Sequence, residues 1–143
     1  MSIDKEHIIR GIDQSESDWI ANHLHKLRLY LENKSGQKLN DVPEPKFLDQ
    51  YFHIALQDQK RGVLSEDDLI NMFGSGFGQY FEEKANFQWV IYSDKHGNDL
   101  AVKNNETGVI GFPLSSTAKR LTDEFAGTFD GIFVTLTDWP TKH

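Results

Sequence analysis

Apolar positions recur with two different periods along this chain. Over the first part the spacing is helical. Ile20, Leu24, Leu27 and Leu31 follow at steps of four, three and four, which puts them on one stripe of a helix. Ser15 or Ser17 is expected to cap it, with acids in its first turn, and Gly36 follows its end. The next stretch, GQKLNDVPEP, holds turn residues and two prolines and reads as a loop. A second helix follows Pro45, burying Leu48, Tyr51, Phe52, Ala55 and Leu56, and Gly62 marks its stop. A third starts at Ser65, which with Asp68 forms a relative of the capping box. Its apolar positions, Leu69, Phe73, Phe77, Tyr80 and Phe81, keep helical spacing straight through three glycines.

The period then drops to two. FQWVIYSD reads as a strand, with Phe87, Trp89 and Ile91 on one face and Val90 and Tyr92 on the other. KHGN is a turn, DLAVK a second strand, NNETG a second turn and VIGF a short third strand that Pro113 ends. Connections this short imply antiparallel pairing. Ser115 or Ser116 is expected to cap a further helix through Lys119, Arg120 and Leu121. In the tail, Leu121, Phe125, Phe129, Ile132, Phe133 and Leu136 favour helix, whereas Gly127, Gly131 and Val134-Thr135 argue for strand; the balance goes to helix. The pattern predicts one α+β domain over residues 1–143: N-terminal helices, a three-stranded antiparallel meander and a C-terminal helical segment packed on the sheet.

The three glycines, in FGSGFGQ at 73–79, raise a phosphate-loop question. A dinucleotide fingerprint needs G-x-G-x-x-G between strand and helix. Here the glycines stand at 74, 76 and 78, position 79 is Gln, and no strand precedes them. A P-loop would end in Gly-Lys-Ser/Thr, which is missing. Gly74 and Gly78, four apart, share one side of a helix and let a backbone or a large aromatic approach it. Packing is the preferred reading.

Composition narrows the function classes. The 143 residues suit one core. Without cysteine, a disulfide scaffold, cysteine-ligated zinc and a thiol nucleophile are excluded. The longest apolar run, Trp89 to Tyr92, is far short of the roughly 20 residues a membrane helix needs. The opening MSIDKEHIIRG lacks the apolar stretch of a signal peptide, so a cytoplasmic location is expected. The formal charge is −7, and it is uneven: residues 1–62 carry ten acids and nine bases, residues 63–143 twelve acids and six bases. The acidic half would repel nucleic-acid backbones and attract a basic protein.

The segments LINMFGSGFGQYF, WVIYSDKHGNDLAV and FPLSSTAKRL, in this order, resemble the bacterial domain-of-unknown-function family 3806 over residues 45–125. The shared positions are Gly74, Phe77, Gly78, Trp89, Asp94, Gly97, Asp99, Leu100, Pro113, Lys119 and Arg120, while Phe73 stands where the family pattern more often has Leu. The resemblance supports the fold reading and implies no reaction.

Candidate chemistry is sparse. His23 and His25 are two apart, about 200° around a helix, and cannot clasp one ion. Asp49 and His53, four apart on the second helix, can meet and could form an Asp–His general-base pair; a surface ion pair is the plainer alternative. The turn from Asp94 to Asp99 fails as a calcium loop, because its sixth and twelfth positions are Asp99 and Asn105 instead of Gly and Glu. It reads as a hairpin turn with Gly97 at positive φ, whose exposed tip could serve recognition. The segment Ser115, Ser116, Lys119 and Arg120 at a helix N-terminus is the best small-anion candidate, set against an ordinary capped helix with Arg120 paired to an acid. The other aromatics read as core, but Trp139, between Asp138 and Pro140, would mark an interface if exposed. No metal and no cofactor are expected.

These readings converge on a small, acidic, non-catalytic intracellular binding protein without nucleic-acid or membrane partners. Its most concrete form is an immunity protein that neutralises a basic toxin domain by covering it. Glu82, Glu83, Asp94, His96, Asp99, Asp123, Asp138 and Trp139 are the expected protein-binding residues. The alternatives are a small-anion or nucleotide sensor at Ser115–Arg120 and a hydrolase using Asp49 and His53.

Overall fold

The computed structural model describes residues 7–123 and 125–138. In chain order the elements are β1 (Ile8–Gly11), α1 (Gln14–Ser35), α2 (Pro45–Lys60), α3 (Glu66–Lys84), β2 (Phe87–Asp94), β3 (Gly97–Asn104), β4 (Ile110–Gly111), α4 (Pro113–Thr122) and α5 (Phe129–Asp138). The class is α+β, with a four-stranded sheet in the order β1-β2-β3-β4 and every pair antiparallel. The register sets Trp89 opposite Val102, Ile91 opposite Leu100 and Tyr92 between Ile9 and Asp99.

The meander therefore has one strand more than its sequence pattern suggests. β1 is four residues long, sits at the sheet edge and leaves Ile8 67% exposed. A strand that short and exposed carries no alternation to read. The expected third strand, VIGF, shortens to Ile110–Gly111.

Two helix starts also differ. α1 is capped by Asp13, not by Ser15 or Ser17, which fall in its first turn. Asp13 Oδ1 accepts from the Glu16 amide at 2.8 Å and the Asp13 amide donates to Glu16 Oε1 at 2.9 Å, a reciprocal box that satisfies two donors. Arg10 of β1 grips the same carboxylate at 2.7 Å and, with the Asp13 amide, holds Glu16 at about 2. α4 begins at Pro113, two residues before the expected cap, with Phe112 at the cap position and no side-chain cap. Proline at N1 supplies a preset φ and lacks only an amide that would be unsatisfied anyway. Ser65 does cap α3, accepting from the Asp68 amide at 3.0 Å.

α3 is the hub: α1, α2, α4, β2 and β3 all pack on it. The segment 73–79 is helix throughout, and residues 72–78 are all buried. Each glycine admits a different neighbour. A Cβ at Gly74 would stand 2.9 Å from Leu114 Cα of α4, one at Gly76 2.3 Å from Leu27 Cδ2 of α1, and one at Gly78 2.0 Å from the Trp89 ring of β2. Phe73, Phe77 and Phe81 fill the rest. Phe52 meets Phe73 and Phe129 at 5.4 Å each, Phe77 meets Phe129 at 4.9 Å, and Phe81 meets Phe87 at 4.8 Å and Phe133 at 5.0 Å. This run of edge-on and tilted rings draws α5 onto α2 and α3, while Leu136 of α5 reaches Gly111 of β4. α5 is helical through Gly131 and Val134-Thr135. Phe125, read with the core, is instead 87% exposed in the α4–α5 connection.

Candidate functional site

A groove of about 510 Å³ opens between the β2–β3 hairpin and the helices α4 and α5. Six residues singled out in the sequence meet in it: Asp94, His96, Asp99, Ser115, Ser116 and Lys119. Its apolar lining comes from Tyr92, Ile110, Phe112, Ile132 and Leu136. The hairpin positions the acids. Gly97 takes φ +123, and Asp94 Oδ1 accepts from the His96 amide at 2.8 Å, so the tight turn holds one carboxylate by its own backbone. Asp99 faces Tyr92 across the ladder. Its Oδ2 lies 3.3 Å from Ser115 Oγ, which donates to it.

Because α4 starts at Pro113, Ser115 and Ser116 lie inside its first turn and cap nothing. Asp99 stands beside this helix N-terminus and supplies the negative charge that the dipole end favours. An incoming anion would meet that carboxylate. Lys119 is exposed and has no ion-pair partner among the described residues.

Arg120 leaves the groove altogether. Its Nη1 donates to Asp49 Oδ1 at 2.7 Å, and its guanidinium lies over the Phe52 and Phe129 rings, 4.4 and 4.6 Å from their centroids. Asp49 Oδ1 also accepts from the Phe129 amide at 2.8 Å, and Oδ2 from the Asp130 amide at 3.0 Å. Asp49 thus caps α5. His53 lies instead beside Gln57, with Nε2 at 3.5 Å from the amide nitrogen. One residue of the sensor alternative, Arg120, is thus joined to one of the hydrolase alternative, Asp49.

The remaining candidates are dispersed. Glu82 and Glu83 accept from Gln79 Nε2 at 3.2 and 2.8 Å at the end of α3. Asp123 accepts from the Phe125 amide at 2.9 Å, and Asp138 ends α5. Trp139 lies outside the described residues. His23 is buried, its Nδ1 2.9 Å from the Trp19 carbonyl, and His25 pairs with Arg28. Among the described residues no group of three or more His, Cys, Asp or Glu could hold a metal.

One buried carboxylate escaped the sequence reading. Asp58 is 1% exposed and receives Tyr30 Oη at 2.7 Å, Lys34 Nζ at 2.9 Å and Arg61. Hydrogen bonds from Lys34 and Tyr30, then Arg61, hold it well below the usual carboxylate range against the cost of burial. It joins α1 to the end of α2. The apolar lining of the groove was also missed, since Ile132 and Leu136 carry the ordinary i, i+4 signal of a core face.

Comparison with known proteins agrees with the fold. The family model described as Domain of unknown function (DUF3806) matches residues 54–133, and the chain belongs to that family. The comparison with curated proteins gives no match. A crystal structure from Bacteroides thetaiotaomicron VPI-5482 is similar, with a TM-score of 0.63 at 10% identity over 94% of this chain and 50% of that one. The chain spans about half the length of that solved structure, and at this identity the likeness concerns fold alone. Among the described residues, no helix is long and apolar enough to cross a membrane.

Proposed function

We propose that this member of the DUF3806 family is a non-catalytic binding protein that receives a basic protein segment in the hairpin–α4 groove. The observation that carries the reading is the placement of Asp94 and Asp99 beside an apolar lining of Tyr92, Phe112, Ile132 and Leu136. A lysine or arginine of the partner would lay its aliphatic stem on this lining and its head on the carboxylates. The net charge of −7 would speed encounter, and the apolar anchor would slow release. Its most concrete form is an immunity protein that occludes a basic toxin domain in the cytoplasm, in keeping with a chain free of cysteine.

The test is affinity capture from the native cell with the wild-type chain and the Asp94→Lys/Asp99→Lys double variant in parallel. One basic, stoichiometric partner retained by the wild type and lost by the variant is expected, with an on-rate that falls as salt rises. A partner held equally by both chains, or none held by the wild type, overturns the reading.

A further inference from the structure

A second groove, of about 530 Å³, lies on a different part of the molecule, between α1, the α1–α2 connection and α3. Its volume falls within the range of small-molecule sites, roughly 300–1,000 Å³. The lining is apolar at Leu24, Leu27, Leu39 and Val42. Three charged side chains border it: Arg28 on the α1 wall, Glu83 on the α3 wall and Asp41 on the connection, the last paired with Lys84. Arg28 and Glu83 do not pair with each other, and neither has another ion-pair partner among the described residues.

Both charges are held in place. Arg28 Nη2 donates to His25 Nδ1 at 3.0 Å; arginine can only donate, so the imidazole accepts there. Glu83 accepts from Gln79 Nε2 at 2.8 Å, and Gln79 Oε1 in turn accepts from Trp89 Nε1 at 3.0 Å. Glu83 is thereby oriented through an amide fixed to a core indole. The third wall is a connection that would otherwise be free. Leu39 donates its amide to Glu32 Oε2 of α1 at 2.8 Å, and Asp41 takes Lys84 Nζ of α3 at 3.0 Å. Two side-chain ties thus hold the connection to both helices and build the groove before any ligand arrives, which lowers the ordering cost of binding.

We propose that this groove binds a small zwitterion with an apolar body, an α-amino acid with an aliphatic side chain being the simplest case. Arg28 takes its carboxylate, Glu83 its ammonium, and the leucines its side chain. The site is separate from the hairpin groove and does not depend on its assignment.

Calorimetric titration with L-leucine, N-acetyl-L-leucine and L-leucinamide tests it. Saturable binding of L-leucine is expected, and each capped compound, lacking one charge, should bind at least about tenfold more weakly. Arg28→Ala and Glu83→Gln should each weaken L-leucine by a similar factor. Both side chains are exposed, and circular dichroism would verify that these variants fold. No saturable heat with L-leucine up to about 10 mM, where a millimolar Kd would be plain, overturns the proposal. Equal binding of the capped compounds overturns it too, without recourse to any variant.

Discussion

Asp49 and Arg120, 71 positions apart in the chain, meet at 2.7 Å, and the same carboxylate caps the helix that begins at Phe129. One short side chain on α2 therefore fixes both C-terminal helices. The arginine lies over the Phe52 and Phe129 rings, where its planar, delocalised charge suits stacking better than an ammonium would.

Asp49→Ala should remove the cap and leave Arg120 partly buried without its acid. The expected loss is about 2–4 kcal/mol, read from urea unfolding midpoints. Arg120→Lys should also destabilise, since lysine keeps the charge but not the stacked plane. A change within about 0.5 kcal/mol for Asp49→Ala, the range of an ordinary surface substitution, would remove Asp49 from this structural role.

The glycines of α3 should behave against helix propensity. At an open helical site glycine to alanine gains about 1 kcal/mol. At Gly78 the new methyl would fall 2.0 Å from an indole carbon of Trp89, a ring buried and tied to Gln79. Gly78→Ala should cost about 1–3 kcal/mol. Gly74→Ala meets the Leu114 backbone and should cost a similar amount. Gly76→Ala meets only the end of the Leu27 side chain and should be the mildest of the three. Thermal unfolding of the set checks the order, and a stabilised Gly78→Ala would contradict it.

Asp58 should make stability depend on acid. Its carboxyl titrates lower in the folded chain than in the unfolded one. Its contribution is therefore complete above the unfolded value, about 3.9, and is lost as pH falls below that toward the folded value. Asp58→Asn should cost about 2–4 kcal/mol near pH 7. The gap between variant and wild type should close as the pH of the unfolding experiment drops below about 4. A gap that stays constant from neutral to acid pH would mean that the charge of Asp58 does not matter.

Asn86, between α3 and β2, holds φ 63, the left-handed region that a Cβ disfavours by roughly 1–2 kcal/mol. Its carbonyl accepts from the Asn105 amide at 2.9 Å. Asn86→Ala should be less stable than Asn86→Gly in differential scanning calorimetry, because glycine adopts this conformation freely. Both variants lose the bond that Asn86 Oδ1 accepts from Asn105 Nδ2 at 2.9 Å, so the reverse order would show that the backbone angle does not govern stability at this turn.

Near-neighbour chemistry along the chain was enough for most of the architecture. Helical spacing in α1, α2 and α3, the alternation in β2, the cap at Ser65 and the turn at Gly97 each depend on residues within a few positions of one another, and all are legible in order. The hairpin tip and the α4 segment could likewise be named as places of interest. Assembly had to supply the rest. Whether Arg120 faces a ligand or an acid depended on Asp49, 71 positions away. That β1 pairs with β2, that Asp99 stands at the start of α4, and that Glu83 and Arg28 border one groove are facts of through-space distance. Periodicity tells which way a side chain points from its own element. It does not carry which other element stands there, because that contact is set by how the whole core closes.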